Sequence, residues 1–263
     1  MALPTHMMKK GNVTLTRFIN GRALSTSTAL KPENVANTMD EKNVTVLNHL
    51  NPLEHKDYFN VRNSFTLNDL FLNRVHYGHK SIVRNEYMKP FLFGNRLGID
   101  IIDLDQTVQL LGDALNFTAH VAFRQGIIMF VTRSPQNITT VEQMAKDCGE
   151  YSHCRKWRLG TFTNSTVQYG ATTRLPDLCI FLSTLNDAFE QHTAVVESAK
   201  MNIPVIGIVD SNCDPRLITF PVPGNDDTPC AIKLYMSLFT DAIKKGKHAH
   251  ASMNINVEAK NSN

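Results

Sequence analysis

Ile203-Pro204-Val205-Ile206-Gly207-Ile208-Val209-Asp210-Ser211-Asn212-Cys213-Asp214-Pro215 is the stretch from which the fold follows. Residues 205–209 are aliphatic at every position except Gly207, the pattern of a strand covered on both faces in a parallel sheet. Asp210, Asn212 and Asp214-Pro215 stop it, because Asx side chains bond their own downstream backbone and proline fixes φ. Further on, Gly224-Asn225-Asp226-Asp227 before Pro229 predicts a turn running into a helix, with Asn225 or Asp226 capping its free amides. Paired carboxylates also occur in metal and acid–base sites. No nucleophile or ligand set accompanies these two, so capping is the expectation.

Working back toward the N-terminus, the same alternation of strand and helix repeats. Thr66 or Asn68 can cap a helix with Leu67, Leu70, Phe71 and Val75 on one stripe, ending near Gly78. Residues 99–104 read as a strand leading to a long helix over 106–124, with Val108, Leu111, Leu115 and Val121 at helical spacing. Strands are predicted at 127–131, 178–182, 205–209 and 217–222, with a strand-like turn at 151–157. Helices are predicted at 141–148, 193–200 and 229–245. Such alternation implies a three-layer α/β/α sandwich around a mostly parallel sheet, Rossmann-like or flavodoxin-like in outline.

The chain has 263 residues, enough for one domain of about 180–200 residues with tails. Its five cysteines, odd in number and without paired spacing, read as thiols of a reducing compartment. No apolar run approaches the roughly 18 residues that span a bilayer.

The first acidic residue is Glu33, whereas Lys9, Lys10, Arg17, Arg22 and Lys31 precede it together with a hydroxyl-rich patch at 25–28. That is the composition of a mitochondrial transit peptide; a basic arm gripping RNA is the other reading. Arg22-Ala23-Leu24-Ser25 resembles a matrix-processing site, so residues 1–24 are expected to be removed. Cutting there takes away four of 27 Lys/Arg and none of 24 acids. The mature chain is then close to neutral, and any phosphate contacts must come from local clusters. Residues 25–64 read as an N-terminal extension, its polar part from Glu33 to Ser64 an extended segment or short helices outside the core. The domain proper is expected at 65–246, and 247–263 as a polar C-terminal tail.

The α/β pattern raises the possibility of a nucleotide enzyme, which needs a phosphate-binding loop. No Gly-x-Gly-x-x-Gly follows a strand, and Thr132-Arg133-Ser134-Pro135 after the 127–131 strand lacks the glycines that let a pyrophosphate approach the backbone. Gly94-Asn95-Arg96-Leu97-Gly98 precedes a strand instead of joining strand to helix. Cys148, His153 and Cys154, or His76 and His79, lack recognised metal-ligand spacing. No catalytic residue, cofactor or metal is expected.

Three ordered blocks carry a family resemblance: Val75-His76-Tyr77-Gly78-His79 with Met88-Lys89-Pro90-Phe91-Leu92-Phe93-Gly94 and Arg96-Leu97-Gly98-Ile99-Asp100-Ile101-Ile102; Gly160-Thr161-Phe162-Thr163-Asn164; and Pro223-Gly224-Asn225-Asp226-Asp227. With Pro176-Asp177, Glu197 and Asn202-Ile203-Pro204 between them, they resemble the small ribosomal subunit protein two family, bacterial and organellar type, from about residue 65 to 246. Bacterial members insert a long helical hairpin after the central block, but only residues 165–175 separate Asn164 from Pro176 here. The hairpin is lost or shortened. Together with the N-terminal signal, the resemblance implies a non-enzymatic constituent of the mitochondrial small ribosomal subunit, bound to its rRNA and neighbouring proteins. No membrane partner or small-molecule substrate is implied. The alternatives are a nucleotide-dependent Rossmann-like enzyme and an extraribosomal binding module of the same family.

Seven residues are the RNA-binding candidates. Arg84, Lys89 and Arg96 lie in a segment that Tyr87, Phe91 and Phe93 are expected to hold on the sheet while the cations face outward. Arg155, Lys156, Trp157 and Arg158 form the densest cationic cluster outside the tails. Trp157 is open to two readings, stacking on an unpaired base or packing in the core. Lys244, Lys245 and Lys247 are expected to complement the dipole at the end of the last helix, with RNA contact there left open.

Overall fold

A computed structural model describes residues 52–186 and 190–261. The expected transit peptide and most of the N-terminal extension lie outside the described residues.

Five strands form the central sheet: β4 (Ile128–Val131), β5 (Tyr151–His153), β6 (Leu178–Phe181), β7 (Val205–Val209) and β8 (Phe220–Pro223), all parallel and ordered β5-β4-β6-β7-β8. The first two strands of this sheet are exchanged relative to chain order, which is the flavodoxin-like arrangement. All five residues of β7 are buried, as its unbroken aliphatic run requires. β8 is an edge strand, and its Pro221 and Pro223 are tolerated for that reason. It begins later than the hydrophobic pattern predicts, because residues 215–218 turn back, with Ile218 N–H donating to Pro215 O at 3.1 Å.

A second, smaller sheet is antiparallel, with β1 (Tyr77–Lys80), β2 (Leu92–Arg96) and β3 (Ile99–Ile102) in the order β1-β3-β2. Of these only β3 is legible as a strand from its sequence. It belongs to this small sheet and not to the parallel one. The preceding helix, α1 (Leu67–Leu72), is closed by a capping box in which Thr66 and Asp69 satisfy each other's backbone amides. It stops well short of Gly78, because Arg74 takes φ 61° and the chain turns into β1.

One face of the parallel sheet is covered by α2 (Leu104–Phe123) and α6 (Pro229–Asn261), which pack along each other, with α3 (Ile138–Asp147) beside α6 and β5. α2 contributes buried Leu111, Ala114, Leu115 and Ala119; α6 contributes Tyr235, Met236, Phe239 and Ile243. The other face packs Val131, Cys179, Phe181, Val205 and Val209 against Ala194 and Val195 of α5 (Thr193–Lys200) and against Trp157 and Phe162. Only the five-residue α4 (Ser165–Tyr169) and a loop join the central block to β6.

Three expectations change. Tyr58, Phe59 and Val61, assigned to an extension outside the core, are buried, and Phe59 packs edge-on against His120 of α2 at 4.9 Å. α6 runs on to Asn261, so the expected polar tail continues the last helix. Lys244, Lys245 and Lys247 therefore sit mid-helix and do not complement its end. Lys245 donates to Asn60 O at 3.1 Å, while Lys247 pairs with buried Glu150 at 2.6 Å and closes the C-terminal end of α3 by donating to Cys148 O at 2.7 Å.

Candidate RNA interface

The cationic loop follows directly from the edge strand β5. Trp157 anchors it: the indole is 7% exposed and meets His153 and Phe162 edge-on, each at 4.8 Å between ring centroids. Its buried position does not present a face on which a base can stack. Of its two readings, core packing is the one observed. Arg155, Lys156 and Arg158 on either side are exposed.

The loop backbone is held from behind by α5. The carboxylate of Glu197, itself buried, accepts Gly160 N–H at 2.7 Å and Phe162 N–H at 3.0 Å. Gly160 adopts φ 86°, the left-handed region that favours glycine, and the Thr161 hydroxyl donates to Arg158 O at 2.7 Å. Two hydrogen bonds to one side chain fix this loop against the core. Glu197 stands out in the sequence only as part of the family blocks, and nothing local there reveals its partners. Nearby, burial, then His153 and Arg133, push the pKa of His192 down to about 4, with Glu197 opposing; burial also lowers His153. Both rings are neutral at physiological pH, leaving positive charge to the exposed side chains.

The second candidate segment is built differently. Arg84 forms a two-pronged ion pair with Asp100, whose side chain is fully buried and also accepts Asn95 Nδ2 at 2.8 Å. Hydrogen bonding to Arg84 holds the Asp100 carboxyl below its usual range. The Arg84 charge is thus matched within the small sheet. Lys89 pairs with Glu86 at 3.2 Å on the surface, whereas Arg96 is exposed at the end of β2. Among the described residues, no carboxylate lies in ion-pair range of Arg96, Arg155, Lys156 or Arg158.

The expected anchoring of this segment also changes. Met88 is fully buried and Phe91 is partly buried against the same core, but Tyr87 and Phe93 are 50% and 80% exposed. The turn of 3-10 helix over Glu86–Phe91 points Met88 inward in place of Tyr87. Tyr87 instead lies beneath Arg216, whose guanidinium carbon is 3.9 Å from the ring centroid and which also pairs with Asp214.

His79 ties the small sheet to the C-terminal ends of β7 and β8. Its Nδ1 lies 3.1 Å from buried Asp210 and its Nε2 lies 3.3 Å from Asp227, while its backbone N–H donates to Ser211 Oγ at 2.8 Å. Hydrogen bonds to Asp210 and Asp227 raise the imidazole pKa to about 10. Asp226 beside it is buried; desolvation, then the charges of Asp210 and Asp227, push its carboxyl pKa up. The cap is made by Asn225, whose Oδ1 accepts Asp227 N–H at 2.9 Å and Thr228 N–H at 3.1 Å. The geometry is that of a clamp between two sheets.

The Ribosomal protein S2 family matches residues 70–178 and 168–246. These two pieces meet where α4 and its loop make the short connection to β6. Small ribosomal subunit protein uS2m of Bos taurus is 55% identical over 196 residues, covering 74% of this chain and 67% of that protein. Small ribosomal subunit protein uS2 of Caulobacter vibrioides is 32% identical over 224 residues, covering 69% of this chain and 82% of that protein. The uS2 of Maricaulis maris is 32% identical over 226 residues, covering 69% and 77%. With the family matched over most of its length and its blocks built into one fold, the chain belongs to the ribosomal protein S2 family.

Proposed function

We propose that this protein is a structural, non-enzymatic constituent of the mitochondrial small ribosomal subunit, holding subunit rRNA and neighbouring proteins in support of mitochondrial translation. The observation that carries this reading is the 55% identity to a mitochondrial uS2m. The RNA contacts are assigned first to Arg155, Lys156 and Arg158, which are exposed on a rigidly held loop with no carboxylate partner among the described residues, and then to Arg96. Trp157 acts as the anchor of that loop, and Arg84 as a brace of the small sheet. Lys89, paired with Glu86 on the surface, gives up little to contact a phosphate, since such exposed pairs are weak. Residues 1–24 serve as a matrix-import signal that is cleaved.

Sedimentation of mitochondrial lysate tests the assignment. The chain is expected in the small-subunit fraction, with an N-terminus near residue 25. Recovery only in ribosome-free fractions would overturn the ribosomal reading, and an intact Met1 or Ala2 on the subunit-bound chain would overturn the import reading.

A further inference from the structure

Beside the cationic loop, under the short connection to β6, lies a groove of about 520 Å³, within the range of ligand-sized sites. Its walls include Met129, Tyr151, Trp157, Tyr169 and Leu175. Three residues on those walls carry buried polar atoms with no hydrogen-bond partner among the described residues: His153 Nδ1, Trp157 Nε1 and Thr173 Oγ1. Polar atoms left without partners in a low-dielectric site are destabilising, and a ligand that pairs with them relieves the cost.

The groove shares His153, Trp157, Thr161 and Tyr169 with a second cavity of about 590 Å³ lined by Arg155, Lys156 and Arg158. Among the described residues, no carboxylate lines either one. An aromatic slot with unmet hydrogen-bonding groups therefore opens beside concentrated positive charge. A nucleotide has a flat base with donors and acceptors on its edge and an anionic phosphate one sugar away. A protein segment able to satisfy both cavities would need an acidic group beside a buried aromatic one, a more restrictive requirement.

We infer that this groove receives one unstacked base of the subunit rRNA, with Trp157, Thr173 and His153 bonding its edge and Arg155, Lys156 and Arg158 holding the adjacent phosphates. The inference rests on the ribosomal reading above and adds a defined subsite to it. Bases splayed from single-stranded RNA and stacked on aromatic side chains are a common means of RNA recognition. The neutral His153 ring offers one donor and one acceptor, and the indole offers a donor.

The test uses the mature chain and rRNA purified from mitochondrial small subunits. Trp157 is the sole tryptophan, so its fluorescence reports on the groove. RNA binding is expected to change that fluorescence. Tyr169→Ala, at an exposed ring of the wall, should weaken binding about tenfold, as loss of one base-stacking contact does. The dependence on salt should keep its slope, because no phosphate contact is lost. Thr173→Val, nearly isosteric, should weaken binding in the same way, and circular dichroism should show both variants folded. Reversing the charges at Arg155, Lys156 and Arg158 should instead flatten the slope. If both groove variants bind as the parent does and Trp157 fluorescence stays constant while charge reversal still weakens binding, the subsite is refuted and the RNA surface stands. If charge reversal also has no effect, the RNA reading fails with it. On intact subunits, ultraviolet crosslinking should yield nucleotide adducts at Tyr151 or Tyr169. A neighbouring protein joined there instead would overturn the inference.

Discussion

Gly246 shows how one residue sets the spacing of two helices. It lies inside α6 where that helix crosses α2, and a Cβ added there would sit 2.4 Å from Ala119 O and 3.0 Å from Ala122 Cβ. Alanine in place of glycine ordinarily stabilises a helix interior by about 1 kcal/mol. Overpacking at a backbone contact costs about 1–3 kcal/mol, and that effect should win. Gly246→Ala is therefore expected to lower stability in denaturant unfolding, and equal or greater stability would show that the helices move apart freely. The helix continues through Gly246 to Asn261, beyond the boundary expected from sequence, because the glycine serves this helix contact and does not end the helix. His79 carries the clearest pH signature. Its pKa is raised from an ordinary value of 6.5 to about 10, so the folded chain keeps a proton that the unfolded chain loses. This contribution is fully present below about pH 6.5 and is lost as pH rises through about 10. Asp226, raised by burial and its acidic neighbours, drives stability in the same direction from lower pH. Unfolding free energy should fall between about pH 6.5 and 9, and His79→Gln should flatten the fall. A parent profile that rises across this window would contradict the clamp.

At the scale of elements, legibility followed periodicity and burial. The helix at Thr193–Lys200 and the strand at Val205–Val209 fall on their predicted bounds, because each has an uninterrupted pattern and a clear stop. β1 reads Tyr-Gly-His-Lys and β2 reads Leu-Phe-Gly-Asn-Arg, with no alternation and largely exposed side chains, so neither carries a signal of its own. They are strands because β3 pairs with both and the clamp holds them in place. The candidate site divides in the same way. Exposure of Arg155, Lys156 and Arg158 follows from a polar loop outside any apolar period, whereas the neutralisation of Arg84 by Asp100 and the placement of Tyr87 under Arg216 depend on contacts remote in sequence. β7 is the element on which the core depends most plainly. Val205→Asp would put an unpaired charge at a position 1% exposed, and a loss above about 4 kcal/mol is expected from such burial. Thermal unfolding measures it, and a cooperative transition near that of the parent would refute the two-sided burial of β7.

On the scale of the whole molecule, the net positive charge is concentrated in the first 24 residues. The intact chain is +3, but removing the first 24 residues leaves 23 Lys/Arg against 24 acids. A body with almost no net charge gains little long-range attraction to RNA, so affinity must come from cations held where phosphates lie. The loop after β5 meets that requirement: Glu197 fixes its backbone, Trp157 anchors it, and its charges have no carboxylate partner among the described residues. The account therefore separates binding from folding. The measurement that tests it most directly is small-subunit incorporation, followed by gradient sedimentation at rising salt, of a chain bearing Arg155→Glu, Lys156→Glu and Arg158→Glu. The account predicts a chain that unfolds at the parent's temperature yet enters the subunit less well, with the defect largest at low salt and narrowing as salt rises. Incorporation equal to the parent's at low salt would contradict it.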